Sequence, residues 1–100
     1  KMKLALKKLS LQEIQQRLVS CPQWELTPDH EAITRTILFN DFSAAWGFMA
    51  RVALFAEQKN HHPEWFNVYN RVMMRLSTHD CLGISDKDFE LAHFIDQLCP

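Results

Sequence analysis

Apolar positions along this chain recur with two different spacings, and each predicts a different element. Leu11, Ile14 and Leu18 follow one another at helical intervals. Ser10-Leu11-Gln12-Glu13 ahead of them has the form of a capping box, with Ser10 as N-cap and Glu13 reaching back. Cys21-Pro22 stops this first helix. Trp24-Glu25-Leu26 reads as a short strand and Pro28-Asp29-His30 as a turn. From Ala32 to Phe39 the period falls to two. Ile33, Ile37 and Phe39 alternate with Thr34, Thr36 and Leu38, which predicts a strand rich in β-branched residues. The two strands are expected to form a hairpin.

A second helix is predicted from Asp41 or Ser43 to about Lys59. Its main stripe is Phe42, Ala45, Trp46, Met49, Val52, Ala53 and Ala56, while Phe48, Leu54 and Phe55 fall outside it. A helix on the surface of one domain needs a single apolar stripe. This one is apolar around most of its circumference, so it is expected to touch the sheet on one side and another subunit on the other, with Phe48 and Phe55 toward the partner. Trp65 to Ser77 alternates throughout: Phe66, Val68, Val72, Met74 and Leu76 share one face with Asn70. Trp65, Asn67, Tyr69, Arg71, Met73 and Arg75 share the other. The run exceeds the usual strand length, so a bend or tight turn near Asn67 to Arg71 is expected to split it. Thr78 to Gly83 is a loop, Ser85-Asp86-Lys87-Asp88 signals a helix start, and Leu91, Ala92, Ile95 and Leu98 form the last stripe. The order α-β-β-α-β-β-α does not interleave one helix per strand. It predicts an α+β fold of two layers: an antiparallel four-stranded sheet with three helices packed on one face.

Composition narrows the class. One hundred residues, 47% hydrophobic and 23% charged, make one domain over 1–100. Residues 1–9, with Lys1, Lys3, Lys7 and Lys8, read as a flexible tail, and Leu4-Ala5-Leu6 is too short for a signal-peptide core or a membrane span. A net charge of −1 argues against direct nucleic-acid binding, which needs a basic face. Three cysteines, Cys21, Cys81 and Cys99, without paired spacing fit reduced thiols in a cytosolic or nuclear protein.

Chemistry is concentrated between Glu57 and Asp88, where His61, His62 and His79 lie. Histidine, with an unperturbed pKa of ~6.5, both accepts and donates protons near neutral pH. A metal is one reading: His61, His79 and Glu57 could be ligands, with Cys81 nearby. Adjacent histidines in an extended segment point apart, however, and no CxxC or HExxH spacing exists, so no metal site is expected. Cys81 lies two residues from His79, too close in sequence for a productive thiol–imidazole pair. Each histidine can also be explained structurally, as a connector or loop residue. Asp88 then completes a capping box with Ser85. Composition and spacing leave acid–base catalysis and these structural readings both standing.

The stretch Glu57, His61-His62-Pro63, Tyr69, His79 and Asp88, with its fixed spacing, resembles the signature of the pterin-4a-carbinolamine dehydratases. Asn60-His61-His62-Pro63-Glu64-Trp65-Phe66-Asn67-Val68-Tyr69-Asn70 and Leu76-Ser77-Thr78-His79 are similar to the animal-type members, and the likeness covers most of the chain after about Trp24. Asn60, where relatives often carry Asp, and Lys87, where some carry Arg, depart from the family pattern outside its motif. The resemblance implies dehydration of 4a-hydroxytetrahydrobiopterin to quinonoid dihydropterin and water, within tetrahydrobiopterin recycling and without a cofactor. It implies His61 and His79 as acid and base and His62 mainly as a binding residue. The substrate edge would be read by backbone groups of His61, His62 and Pro63 and of Thr78, His79, Asp80 and Cys81, with Glu57 and Asp88 supporting the histidines. It further implies a homodimer or homotetramer through helix 42–59 and the sheet edge. The partners implied are an aromatic amino-acid hydroxylase system or, as dimerisation cofactor, a hepatocyte homeodomain transcription factor. A cytoplasmic location follows, with a nuclear one for the cofactor role. The alternative is a non-catalytic binding module acting as such a cofactor.

Overall fold

The structure, a computed structural model, describes residues 6–99. Its elements in chain order are α1 (Leu11–Leu18), β1 (Glu25–Leu26), β2 (Ile33–Leu38), α2 (Phe42–Lys59), β3 (Glu64–Val68), β4 (Arg71–Leu76), a 3-10 turn at His79–Cys81, and α3 (Asp86–Leu98). The four strands form one antiparallel sheet in the order β1-β2-β4-β3. Ile33 and Ile37 of β2 and Val72, Met74 and Leu76 of β4 point to the face that the helices cover. There they meet Ile14 of α1, Ala45, Phe48 and Val52 of α2, and Phe89, Leu91, Ala92 and Ile95 of α3. This is the α+β two-layer arrangement the element order predicts.

The first and third helices start on their predicted caps, and the second on Asp41, one of its two expected starts. Ser10 and Glu13 exchange bonds at α1, Asp41 accepts from the Ala44 N–H at 2.8 Å, and Ser85 and Asp88 exchange bonds at α3. Asn60 closes α2 in the left-handed region at φ 51°, a conformation asparagine tolerates better than most residues. The His61 N–H then reaches back to the Ala56 carbonyl at 3.0 Å, so the chain leaves the helix directly into the histidine pair.

Three expectations change. The 65–77 run does divide, at a two-residue turn, Tyr69-Asn70, with Val68 paired to Arg71. Such a turn reverses parity, so odd positions before it share a face with even positions after it. Trp65 and Asn67 therefore join Val72 and Met74 on the core face, whereas Phe66 and Val68 lie exposed beside Arg71 and Met73. Treating the run as one strand puts Phe66 and Val68 on the wrong face.

The second change concerns α2. Phe48, only 3% exposed, packs against Phe39 with ring centroids 4.9 Å apart. Phe55 stacks on Phe94 of α3 at 3.9 Å. The exposed apolar stripe is instead Phe42, Trp46 and Leu54, with the last two 59% and 75% exposed. The third change is at the N-terminus, where residues 7–9 are docked. Leu9 is buried and its N–H donates to the Ile84 carbonyl at 2.8 Å, while Lys7 pairs with Glu13 at 2.9 Å. Residues 1–5 of the expected tail lie outside the described residues.

One charge faces the core side of the sheet. Arg35 lies between Ile33 and Ile37, where an unpaired cation would be costly. Asp96 of α3 pairs with it and also accepts the Trp24 indole N–H at 2.8 Å, fastening α3 to β2.

Candidate active site

Two segments meet at the end of α2: the connector 60–63 and the loop 77–82. The loop is closed by a two-way bridge between Thr78 and Gly83, whose N–H···O distances are 2.7 and 3.3 Å. Between the segments lies a cavity of about 270 Å³, lined by Leu6, Asn60, His61, His62, Ser77, Thr78, His79, Asp80 and Lys87. A larger groove of about 530 Å³ runs beside residues 7–14 and 29–31, but it holds no such convergence of imidazoles. Convergent titratable groups distinguish a candidate site better than size does.

The three motif histidines occupy different environments. The His61 side chain is 10% exposed, and its Nε2–H donates to Asp88 Oδ1 at 2.6 Å. The His62 Nε2–H donates to Glu57 Oε1 at 2.9 Å, and both side chains are largely in solvent. His79 is exposed on the 3-10 turn, and no hydrogen bond among the described residues engages its ring. With its Nε2 proton directed at a carboxylate, a neutral His61 ring has Nδ1 as its acceptor. The arrangement can therefore take a proton at one imidazole and exchange one with solvent or ligand at another.

Asp88 is fully buried, a position a carboxylate holds only when hydrogen-bonded. Its Oδ2 accepts from the Thr78 hydroxyl at 2.7 Å and from the Ser85 N–H at 2.9 Å, while Oδ1 serves His61. Its capping role and its histidine role therefore coexist, divided between the two oxygens. Among the described residues no buried side-chain polar atom lacks a partner.

The remaining site expectations are met unevenly. His61, His62, Thr78, His79 and Asp80 line the cavity, whereas Pro63 and Cys81 are not in its wall. The Cys81 thiol turns to the carbonyls of Thr78 and Gly83, both at 3.7 Å. Burial pushes that thiol up from its ordinary pKa, and the Asp88 charge adds to this, which suppresses the nucleophilic thiolate. Tyr69 sits exposed in the β3–β4 turn and does not reach the cavity wall. Asn60 and Lys87, read as lying outside the motif, both border the cavity, and so does Leu6, which no pattern pointed to. Among the described residues no three His, Cys, Asp or Glu side chains converge as a metal-binding group.

Known proteins resemble this chain in sequence and fold. The family model for pterin 4 alpha carbinolamine dehydratase matches residues 7–98. A Burkholderia vietnamiensis protein named "Putative pterin-4-alpha-carbinolamine dehydratase" is 53% identical over 92 residues, covering 92% of this chain and 90% of that one. A Burkholderia multivorans protein of the same name is 55% identical over 89 residues, covering 89% and 87% respectively. The crystal structure of a transcriptional coactivator/pterin dehydratase from Brucella melitensis superposes with a TM-score of 0.92 at 41% identity, over 94% of this chain and 100% of that one. By sequence over nearly its whole length and by fold, this chain belongs to the pterin 4 alpha carbinolamine dehydratase family.

Proposed function

We propose that the protein dehydrates 4a-hydroxytetrahydropterins, with 4a-hydroxytetrahydrobiopterin as the expected substrate. The supporting observation is the pair of imidazoles, His61 and His79, on two different segments of one polar cavity. The reaction breaks the C4a–O bond. An acid protonates the departing hydroxyl to give water, a base removes a proton from a ring nitrogen, and the nitrogen electrons form the new C=N bond. Nothing is oxidised or reduced, so two positioned proton carriers are sufficient, each contributing typically ~10²–10⁴-fold. No cofactor is required by this chemistry. His61, whose ring is oriented by Asp88, and His79, whose ring is unengaged among the described residues, are assigned the acid–base work. His62, held by Glu57, binds and orients the pterin. Asn60, Ser77, Asp80 and Lys87 complete a rim of donors and acceptors suited to the edge of a flat heterocycle.

The test is direct. The full chain is mixed with enzymatically generated 4a-hydroxytetrahydropterin, and loss of its ultraviolet absorbance is followed. Acceleration over the spontaneous rate, unchanged by exhaustive chelation, is expected. No acceleration, or a tenfold loss on chelation that zinc restores, contradicts the proposal.

A second role, self-assembly with a coactivator function, is supported by the exposed stripe Phe42, Trp46 and Leu54 on α2 and by the description of the Brucella protein as both coactivator and dehydratase. In this reading the stripe forms the contact between dimers of a homotetramer, and catalysis and assembly occupy different surfaces.

A further inference from the structure

Beneath the histidine cavity three polar side chains are buried together: Thr78, Ser85 and Asp88. Their hydrogen bonds run in one direction. Thr78 has a single hydroxyl proton, and it points to Asp88 Oδ2 at 2.7 Å. The 2.6 Å contact between Thr78 Oγ1 and Ser85 Oγ must then have Ser85 as donor. Ser85 Oγ in turn accepts the Lys87 N–H at 3.2 Å. Asp88 Oδ2 thus takes two donors from different segments, the Thr78 hydroxyl from the loop and the Ser85 N–H from the start of α3. The remaining oxygen is left aimed at His61 Nε2.

We infer that the Thr78 hydroxyl is a positioning group for His61, acting through Asp88, so that the ring keeps its proton on Nε2 and offers Nδ1 to the cavity. Without that hydroxyl, Asp88 keeps only the Ser85 N–H as a fixed donor on Oδ2 and can swing off the ring, which then samples both tautomers. Threonine suits the position because β-branching limits its rotamers and so fixes the direction of the hydroxyl. The catalytic consequence rests on the dehydratase reading, but the state of the ring does not.

A ¹⁵N-labelled full chain tests the inference, because imidazole nitrogen resonances distinguish the two tautomers. Thr78→Val is expected to move the His61 resonances from one tautomer toward an average and to lower kcat about tenfold, with KM within about twofold. Thr78→Ser restores both. Ser85→Ala keeps the Thr78–Asp88 bond, so it lowers the unfolding midpoint without altering the His61 resonances. His61 resonances unchanged in Thr78→Val, or failure of Thr78→Ser to restore them, overturn the inference. If Thr78→Val does not fold, Thr78→Cys, similar in size but only a weak donor, is read by the same outcomes. A chain without dehydratase activity still reports the tautomer, so failure of the inference and failure of the proposed reaction are told apart.

Discussion

At Asp88 one carboxylate satisfies three donors: the His61 ring, the Thr78 hydroxyl and the Ser85 N–H. Asn in its place has one acceptor end and one donor end, so at least one of these contacts becomes donor against donor. Asp88→Asn should therefore lose stability and turnover together: about 1–3 kcal/mol by denaturant titration, the cost of a buried unsatisfied group, and at least ~10²-fold in kcat. Glu57, mostly in solvent beside His62, offers the contrast. Glu57→Gln should stay within about 0.5 kcal/mol of the parent, as surface substitutions usually do, and change turnover only modestly. Equal effects at the two positions would contradict this division. The spacing of the histidines in the sequence singled them out. The double use of Asp88 was not legible, because its capping and histidine-orienting roles read as alternatives until the two oxygens were seen to face different ways. Asn60 and Lys87 flank the motif and reach the cavity only through the turn after α2 and the start of α3.

Among the elements, those with strong local signals are where the sequence predicts them. α1 and α3 begin on their predicted caps, and α2 on Asp41, one of two candidates, because cap chemistry is local. The β3–β4 faces differ from the single-strand alternation because the expected turn is two residues long, and that length, which the run does not reveal, exchanges odd and even positions. The capping box of α1 also sets a pH response. The Ser10 N–H, then Lys7 and the Ser10 hydroxyl, lower the Glu13 pKa from 4.5 to about 2. A carboxylate depressed on folding stabilises the fold above its unfolded pKa, and the contribution fades as pH falls through the folded value. Parent and Glu13→Gln should therefore differ in unfolding midpoint near neutral pH and converge as pH falls from about 4.5 to about 2. A difference that grows on acidification has the wrong sign for this account. Leu82 makes a second test. It is exposed yet held at φ 57°, where a side chain with a Cβ is strained by roughly 1–2 kcal/mol. Leu82→Gly should leave the protein as stable as the parent or more so, despite the flexibility glycine adds to the unfolded chain. A clear loss of stability would mean that the Leu82 side chain makes a contact beyond this chain.

At the scale of the whole molecule, the core is well covered and, among the described residues, two apolar surfaces stand exposed. One is the α2 stripe of Phe42, Trp46 and Leu54, and the other is the open sheet face with Leu38, Phe66, Val68 and Met73. Apolar burial is worth ~25 cal/mol per Å², so a domain this small gains by covering them. Broad apolarity of α2 in the sequence signalled an extra surface but not its side, because Phe39 and Phe94 claim Phe48 and Phe55 only in three dimensions. Trp46→Glu with Leu54→Glu should give a smaller species in sedimentation while dehydratase activity persists. Phe48→Ala should instead cost about 3–5 kcal/mol of folding stability, as a large core truncation does. A parent that is monomeric at micromolar concentration would remove the assembly reading.

In the proposed reaction His61 and His79 move the protons. Rapid mixing of 4a-hydroxytetrahydropterin with the parent, with each single His→Ala variant and with His61→Ala/His79→Ala measures it directly. Partial loss is expected in the singles, with the remaining imidazole substituting in part, and a folded double variant no faster than the spontaneous reaction. A folded double variant that turns over like the parent would contradict this assignment.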